Sequence, residues 1–317
     1  VADSSVPALV AGVLGGDVRA LARAITLVED GRPEARDVLA GVFARSGSAL
    51  VVGITGPPGA GKSTLVDRLT ARLRAQGKTV GVIAVDPTSP FSGGAILGDR
   101  IRMQAHATDP AVFIRSMATR GHLGGLALTT GHAVALLSAA GKDVVLVETV
   151  GVGQDEVEIA AAADVTVVVL VPGLGDEVQA LKAGIMEIAD VFAVNKADRD
   201  GADRLVAEIR AMLSLASHEE RLPAIVKTVA TADEGIDDLL VAVEEFRARA
   251  ESSGLLEQKR RALLARQLED VLHDRLMRRM RARVLTPDET ARIVDRMAAR
   301  ELDPFSAADE VLGRMGL

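Results

Sequence analysis

Gly56-Pro57-Pro58-Gly59-Ala60-Gly61-Lys62-Ser63 stands directly between the apolar run Leu50-Val51-Val52-Gly53-Ile54-Thr55 and the helical stretch Thr64 to Gln76. The pattern G-x-x-x-x-G-K-[ST] in that position is a phosphate-binding loop. Glycines let backbone N–H groups converge on phosphate oxygens, and the helix that follows presents its positive end to the same place. Such a loop requires a strand that ends at it and a helix that starts from it, which commits the chain to an α/β architecture. Lys62 is expected to bridge the β- and γ-phosphates, and Ser63 to supply one oxygen to Mg²⁺.

The rest of the hydrophobic pattern agrees. Further apolar runs lie at Val80 to Val85, Val144 to Val147, Val165 to Val171, Val191 to Val194 and Ile225 to Val229. Continuous rather than alternating apolar residues mark strands buried on both faces. Helical stretches such as Asp203 to Leu215 lie between them, so the expected fold is a mostly parallel sheet with helices on both faces. From Val6 to Ser46 the pattern is helical, with Leu21, Ile25 and Val28 on one face and Val38, Val42 and Phe43 on another. Asp30-Gly31-Arg32-Pro33 separates two helices there.

After Gly254 the chain reads as helical again. Leu256, Leu263, Leu264, Leu268, Val271, Leu272, Leu276 and Met280 form an apolar stripe interleaved with arginines. Thr286-Pro287-Asp288-Glu289 reads as a capping box with Glu289 reaching back, and a short helix is expected after Pro304. The expected organisation is an N-terminal helical extension at 1–48, a P-loop domain at 49–250 and a C-terminal helical arm at 251–317. An amphipathic arm outside the main core needs a partner surface, either its own domain or a second copy.

A second constellation fixes the ligand. Asn195-Lys196-Ala197-Asp198 follows the run Val191 to Val194. Taken alone, N-K-x-D is also an ordinary turn after a strand. Downstream of a phosphate loop and at a strand end, it is the pattern of guanine-specific proteins. Asp198 accepts from guanine N1–H and the 2-amino group, Asn195 reaches the base edge, and the Lys196 stem covers the ring. A site built on such hydrogen bonds rejects a base lacking them. Ala230 and Thr231, after the run at Ile225, are expected to offer N–H groups to the base oxygen.

Asp86 and Glu148 each end an apolar run, and both carboxylates are expected at the carboxyl edge near the phosphates. Glu148-Thr149-Val150-Gly151 resembles D-x-x-G with Glu in place of Asp. Mg²⁺ keeps several waters in such sites, so Glu148 is expected to act through water. Ser89 to Met103 and Pro172 to Glu177 read as loops flanking the site. No glutamine follows Gly151 directly, and Gln154 stands three residues on, so slow intrinsic hydrolysis accelerated by a partner is expected.

Composition narrows the class further. A net charge of −7 gives no global field for nucleic acid or anionic membrane. With no cysteine, neither disulfides nor thiolate metal sites can form, which fits a cytoplasmic location. The apolar stretch Ile159 to Pro172 is broken by Asp164 and too short to span a bilayer.

Together with the P-loop and the N-K-x-D turn, three longer segments resemble the MeaB/ArgK family of GTPases. They are Ala84-Val85-Asp86-Pro87-Thr88-Ser89-Pro90, Gly93 through Met103, and Glu148-Thr149-Val150-Gly151-Val152-Gly153-Gln154. The resemblance runs over almost the whole chain, and members of that family are similar to the human methylmalonic aciduria type A protein. It implies a homodimeric GTPase chaperone of adenosylcobalamin-dependent methylmalonyl-CoA mutase that gates cofactor loading and protects or reactivates the enzyme. It also implies that Asp86, Asp99 and Glu148 surround Mg²⁺. Arg102 falls in the same motif, and Asp176 to Ile188 matches a switch segment that answers the mutase. There, Gln179-Ala180-Leu181 replaces the family's Gln-Gly-hydrophobic sequence. Isobutyryl-CoA mutase is the alternative client, and cobalamin is expected to bind the client. Two other outputs remain open: delivery of a metal to a client, and phosphorylation of a transport binding protein. Related metal-delivery GTPases carry His- or Cys-rich tracts, whereas this chain has five scattered histidines.

Overall fold

The computed structural model describes residues 5–86, 106, 108–118, 125–149, 163–173, 188–216 and 222–315. Seven strands form one sheet: β1 (Leu50–Thr55), β2 (Val80–Asp86), β3 (Val112–Ala118), β4 (Val144–Thr149), β5 (Val165–Leu170), β6 (Val191–Asn195) and β7 (Ala224–Thr228). Their order is β3-β2-β4-β1-β5-β6-β7, and every pairing is parallel. Ile54 of β1 lies level with Glu148 of β4 on one side and Val167 of β5 on the other. Asn195 of β6 lies level with Thr228 of β7.

Helices cover both faces, which is why β4 and β5 are buried at every position. One face packs Val52, Ile54 and Val167 against Leu65 and Leu69 of helix α4 (Lys62–Ala75) and Leu239 and Val243 of α7 (Ile236–Ser252). On the other face α5 (Gly125–Ala139) shares a core with α1 (Val6–Leu14), α2 (Val18–Glu29) and α3 (Pro33–Val42). Leu21, Ile25, Val38 and Val42 bury there beside Ile83, Val85 and Val147. Further along that face, α6 (Ala202–Ala216) covers Val168, Leu170 and Phe192.

The N-terminal segment departs from the two-helix expectation. A break at Gly15-Gly16-Asp17 makes three helices, with Asp17 accepting the Ala20 N–H at 2.6 Å as N-cap and Gly16 at φ 74°. Phe43 does not share the buried face of Val38 and Val42. It falls in a 3-10 turn after α3 and is 65% exposed, because the tighter turn rotates it off the helical stripe. Strand β3 is an edge strand with no continuous apolar run; its Arg115 pairs with the buried Glu29 of α2 and donates to Thr26 at 3.1 Å.

At the amino edge of the sheet two largely buried carboxylates fasten helix α8 (Leu255–Arg283). Asp164, just before β5, accepts from Arg260 Nε at 2.8 Å, from Arg260 Nη2 at 3.0 Å, and from the Val51 N–H at 2.9 Å. Asp190, just before β6, accepts from Lys259 Nζ at 2.7 and 2.9 Å and from the Thr166 N–H at 2.9 Å. Burial pushes the Asp190 carboxyl above the usual carboxylate range, against the pull of Lys259.

The chain divides into two compact units, 1–263 and 264–317. The second holds the later turns of α8 with α9 (Pro287–Ala298) and α10 (Pro304–Met315) around Ile293, Ala307 and Val311. Thr286 caps α9 as expected, accepting the Glu289 N–H at 3.4 Å. Glu289 itself does not turn back to complete the box: its carboxylate pairs with Arg314 and, at 3.2 Å, with Arg292, and Arg314 holds it below the ordinary range. A cationic partner outcompetes a single N–H for that carboxylate. Among the described residues, no helix is long and apolar enough to cross a membrane.

Asp164→Ala strands the Val51 N–H and the Arg260 guanidinium together, so it should cost about 2–4 kcal/mol. Asp164→Asn, which keeps an acceptor for Val51, should cost less. Chemical denaturation followed by circular dichroism reads both, since the chain has neither Trp nor Tyr.

Candidate nucleotide site

The parallel arrangement brings the ends of β1, β4, β6 and β7 to one edge, and the site is assembled there. From the end of β1 the chain enters the loop at Gly56, whose φ is 144°. A Cβ at Gly56 would lie 2.2 Å from the Val169 carbonyl oxygen of β5, so only glycine passes. Gly61, at φ 88°, caps α4, and a Cβ there would meet the Asn195 amide nitrogen at 2.5 Å. Pro57 and Ala60 are buried between these turns, while Pro58 and Gly59 are exposed at the tip.

Lys62 is the first residue of α4, and its side chain folds back over the loop. Its ammonium donates to Gly56 O at 2.7 Å and Pro57 O at 3.0 Å, and the residue is 6% exposed. The cation is thus fixed within the loop rather than released to solvent. Ser63 follows, donating from Oγ to Glu148 Oε1 at 2.6 Å, with Thr64 half-buried behind it. Glu148 is 3% exposed near the end of β4. The next residue, Thr149, donates to Thr55 Oγ1 at 3.0 Å, which locks the ends of β4 and β1 together. Ser63 and Glu148, expected from sequence to be metal ligands, are therefore neighbours. Asp86 ends β2 at the same sheet edge, but its side chain, all of Asp99 and Arg102, and the segments containing Gly151, Gln154 and Asp176 lie outside the described residues.

Asn195 joins the two halves of the site. It ends β6 at 2% exposure, and its amide donates to Ala60 O at 2.8 Å. Its Oδ1 accepts from Thr228 Oγ1 at 3.2 Å and from the Ala230 N–H at 3.1 Å. The Ala230 N–H, expected from sequence to face a base oxygen, is engaged by Asn195 here, while Thr231 is exposed beside it. Lys196 takes a left-handed backbone at φ 55°, and its ammonium reaches Gly59 O at 2.7 Å, so its stem runs alongside the phosphate loop. Asp198 is exposed in the turn that follows, closed by the Arg199 N–H donating to Lys196 O at 3.0 Å. Its carboxylate is open to a ligand.

Sequence reasoning misses Thr228 and Thr149. Both are hydroxyl residues that end a strand, and their partners lie on neighbouring strands, so only the sheet order reveals their role.

A parallel sheet with a lysine-filled phosphate loop at one strand end and an N-K-x-D turn at another defines a P-loop GTPase. The family model described as methylmalonyl Co-A mutase-associated GTPase MeaB matches residues 21–284, and the chain belongs to that family. A Pyrococcus abyssi protein provisionally named a GTPase is 51% identical over 301 residues, spanning 94% of this chain and 93% of the relative. The mouse protein named methylmalonic aciduria type A homolog, mitochondrial, is 33% identical over 323 residues, spanning 96% of this chain and 78% of the relative. A crystal structure of a LAO/AO transport system kinase superimposes with a TM-score of 0.71 at 28% identity, covering 100% of this chain and 99% of that one. The chain is a GTP-hydrolysing P-loop enzyme that binds GTP and GDP.

Asn195→Ala removes hydrogen bonds to three segments at once. It should destabilise the fold by about 2–3 kcal/mol and weaken GDP binding by more than about tenfold. Asn195→Asp keeps the acceptor for Thr228 and Ala230 but sets a buried carboxylate oxygen against the Ala60 carbonyl, and should cost at least as much. Calorimetric titration of GDP beside thermal unfolding measures both effects.

Proposed function

We propose that this chain is a Mg²⁺-dependent GTPase chaperone of adenosylcobalamin-dependent methylmalonyl-CoA mutase, which gates cofactor loading and protects or reactivates the mutase. The observation that carries the reading is an intact nucleotide unit, P-loop, Glu148 and N-K-x-D turn, in a chain matched to MeaB over residues 21–284. The name of the mouse relative points the same way.

The residues divide the work by position. Backbone N–H groups of Gly56 to Thr64 and the start of α4 receive the phosphates, with the Lys62 ammonium fixed among them. Asn195, Lys196 and Asp198 receive the base, with Ala230 and Thr231 forming the wall beside it. An all-oxygen donor pair, Ser63 Oγ and Glu148 Oε1, 2.6 Å apart, suits a hard divalent cation, with Asp86 and Asp99 completing the acidic set. A cation held there would supply positive charge against the phosphates. With no glutamine directly after Gly151, intrinsic turnover is slow and rises when a partner completes the site. A cytoplasmic location, without nucleic-acid or membrane partners, belongs to the same reading.

Homodimerisation through the arm is part of it too. Leu264, Leu268, Leu272 and Leu276 recur every four residues along α8 and are each about half exposed. A leucine row of this kind needs a second apolar surface. Leu268→Glu with Leu272→Glu should convert a dimer to a monomer in sedimentation velocity; an unchanged sedimentation coefficient would remove the arm from the interface.

The function is tested by titrating methylmalonyl-CoA mutase into the protein loaded with GDP or with a non-hydrolysable GTP analogue. Binding whose affinity depends on the nucleotide, and GTP turnover raised by the mutase, are expected. Asp198→Ala should lose both together with its preference for GDP over ADP. No mutase binding in either state would sink the chaperone reading. Transfer of the γ-phosphate to a transport binding protein would replace it with a kinase.

A further inference from the structure

The loop after β7 is held from two sides. Its backbone is closed by a bridge in which the Val229 N–H donates to Glu234 O at 3.0 Å and the Glu234 N–H to Val229 O at 3.2 Å. Between them Ala230–Ala232 form a 3-10 turn, and its Ala230 N–H is taken by Asn195. The turn then reverses through Asp233 at φ 63° and Gly235 at φ 72°. A Cβ at Gly235 would sit 2.1 Å from Lys227 O, so the loop is pressed onto the end of β7.

Arg72, in the last turn of α4, holds the same loop by its side chain. Its Nη2 donates to Asp233 Oδ2 at 2.8 Å, and its Nε lies 3.2 Å from Asp237 Oδ1 in the first turn of α7. One guanidinium therefore ties the base loop and the helix after it to the helix whose first residues are Lys62 and Ser63. Asp233 is the informative partner. A left-handed residue after a 3-10 turn is ordinarily glycine, and aspartate there accepts backbone strain. Its carboxylate compensates by pairing with Arg72.

We infer that Arg72 is a positioning residue for guanine recognition, setting the distance between the phosphate-binding helix and the base loop. A nucleotide has a fixed span from phosphate to base. Once the phosphates are seated on α4, the place of the loop relative to α4 decides how well the base edge meets Asp198 and the loop. The inference rests on the base-site reading of Asn195 to Asp198. It does not require Arg72 to touch the nucleotide. Partly exposed ion pairs contribute little to global stability, so a positioning role and a stabilising role separate experimentally.

The test uses the full chain with Mg²⁺ and titrates GDP, IDP and ADP by calorimetry, with thermal unfolding alongside. IDP lacks the 2-amino group that Asp198 is proposed to read. Arg72→Ala should weaken GDP about threefold to fivefold, narrow the GDP-to-IDP ratio, and leave ADP binding and the unfolding temperature unchanged. Arg72→Lys should recover part of the affinity. Asp233→Gly removes the carboxylate while easing the backbone, so it should match Arg72→Ala in affinity without loss of stability, and the double variant should be no worse than either. Unchanged GDP affinity in Arg72→Ala overturns the inference, as does an equal weakening of GDP and ADP with a lowered unfolding temperature. If Asp198→Ala abolishes guanine preference while Arg72→Ala does not touch it, the base site stands and only Arg72 falls. A wild-type chain that binds GDP and ADP alike removes the base site and the inference with it.

Discussion

A sheet in which every pairing is parallel sends all its strand ends to one edge, and each return must cross a face of the sheet. β1 takes the centre, between β4 and β5, because it is the strand that must deliver the phosphate loop. Its neighbours then supply what the loop needs at contact distance: Glu148 from β4 meets Ser63, and the Val169 carbonyl of β5 walls the turn at Gly56. β6 and β7 lie farther out and lead into the N-K-x-D turn and the turn at Ala230. Asn195 spans the gap between the phosphate loop and these outer strands with one buried amide, so the loop at Ala60, the end of β7 and the turn at Ala230 are a single hydrogen-bonded unit.

Much of this is legible in the amino-acid sequence, for a physical reason. Strands buried on both faces must be apolar throughout, so β1, β4, β5 and β6 announce themselves as valine-rich runs. The phosphate loop is equally plain, since positive φ and close backbone approach permit only glycine at Gly56 and Gly61. β3 is not legible. As an edge strand it needs no continuous apolar run, and Arg115 in its middle is accommodated by a glutamate from α2, distant in sequence. Phe43 misleads because three-residue spacing cannot reveal where an α-helix tightens into a 3-10 turn. Glu289 fits a local capping pattern, but a cation from α10 displaces the local N–H. Arg72 carries no signal at all, since its carboxylate partners lie more than 160 residues onward.

The two edges of the sheet are built by different rules. At the amino edge, Asp164 and Asp190 are nearly buried, accept backbone N–H groups from strand starts, and are each matched by a cation from α8. Charges held this way are costly to separate, so strand starts and helix start behave as one body. At the carboxyl edge the contacts are of another kind. Lys62 and Lys196 rest on loop carbonyls, Ser63 rests on Glu148, and Asp198 faces solvent. Carbonyls are weaker partners than a phosphate for a lysine cation. A phosphate can therefore take over the Lys62 ammonium without disturbing a buried ion pair. Rigidity at one edge and exchangeable contacts at the other are what a protein requires if its nucleotide is to alter the loops around it while the sheet beneath keeps its register.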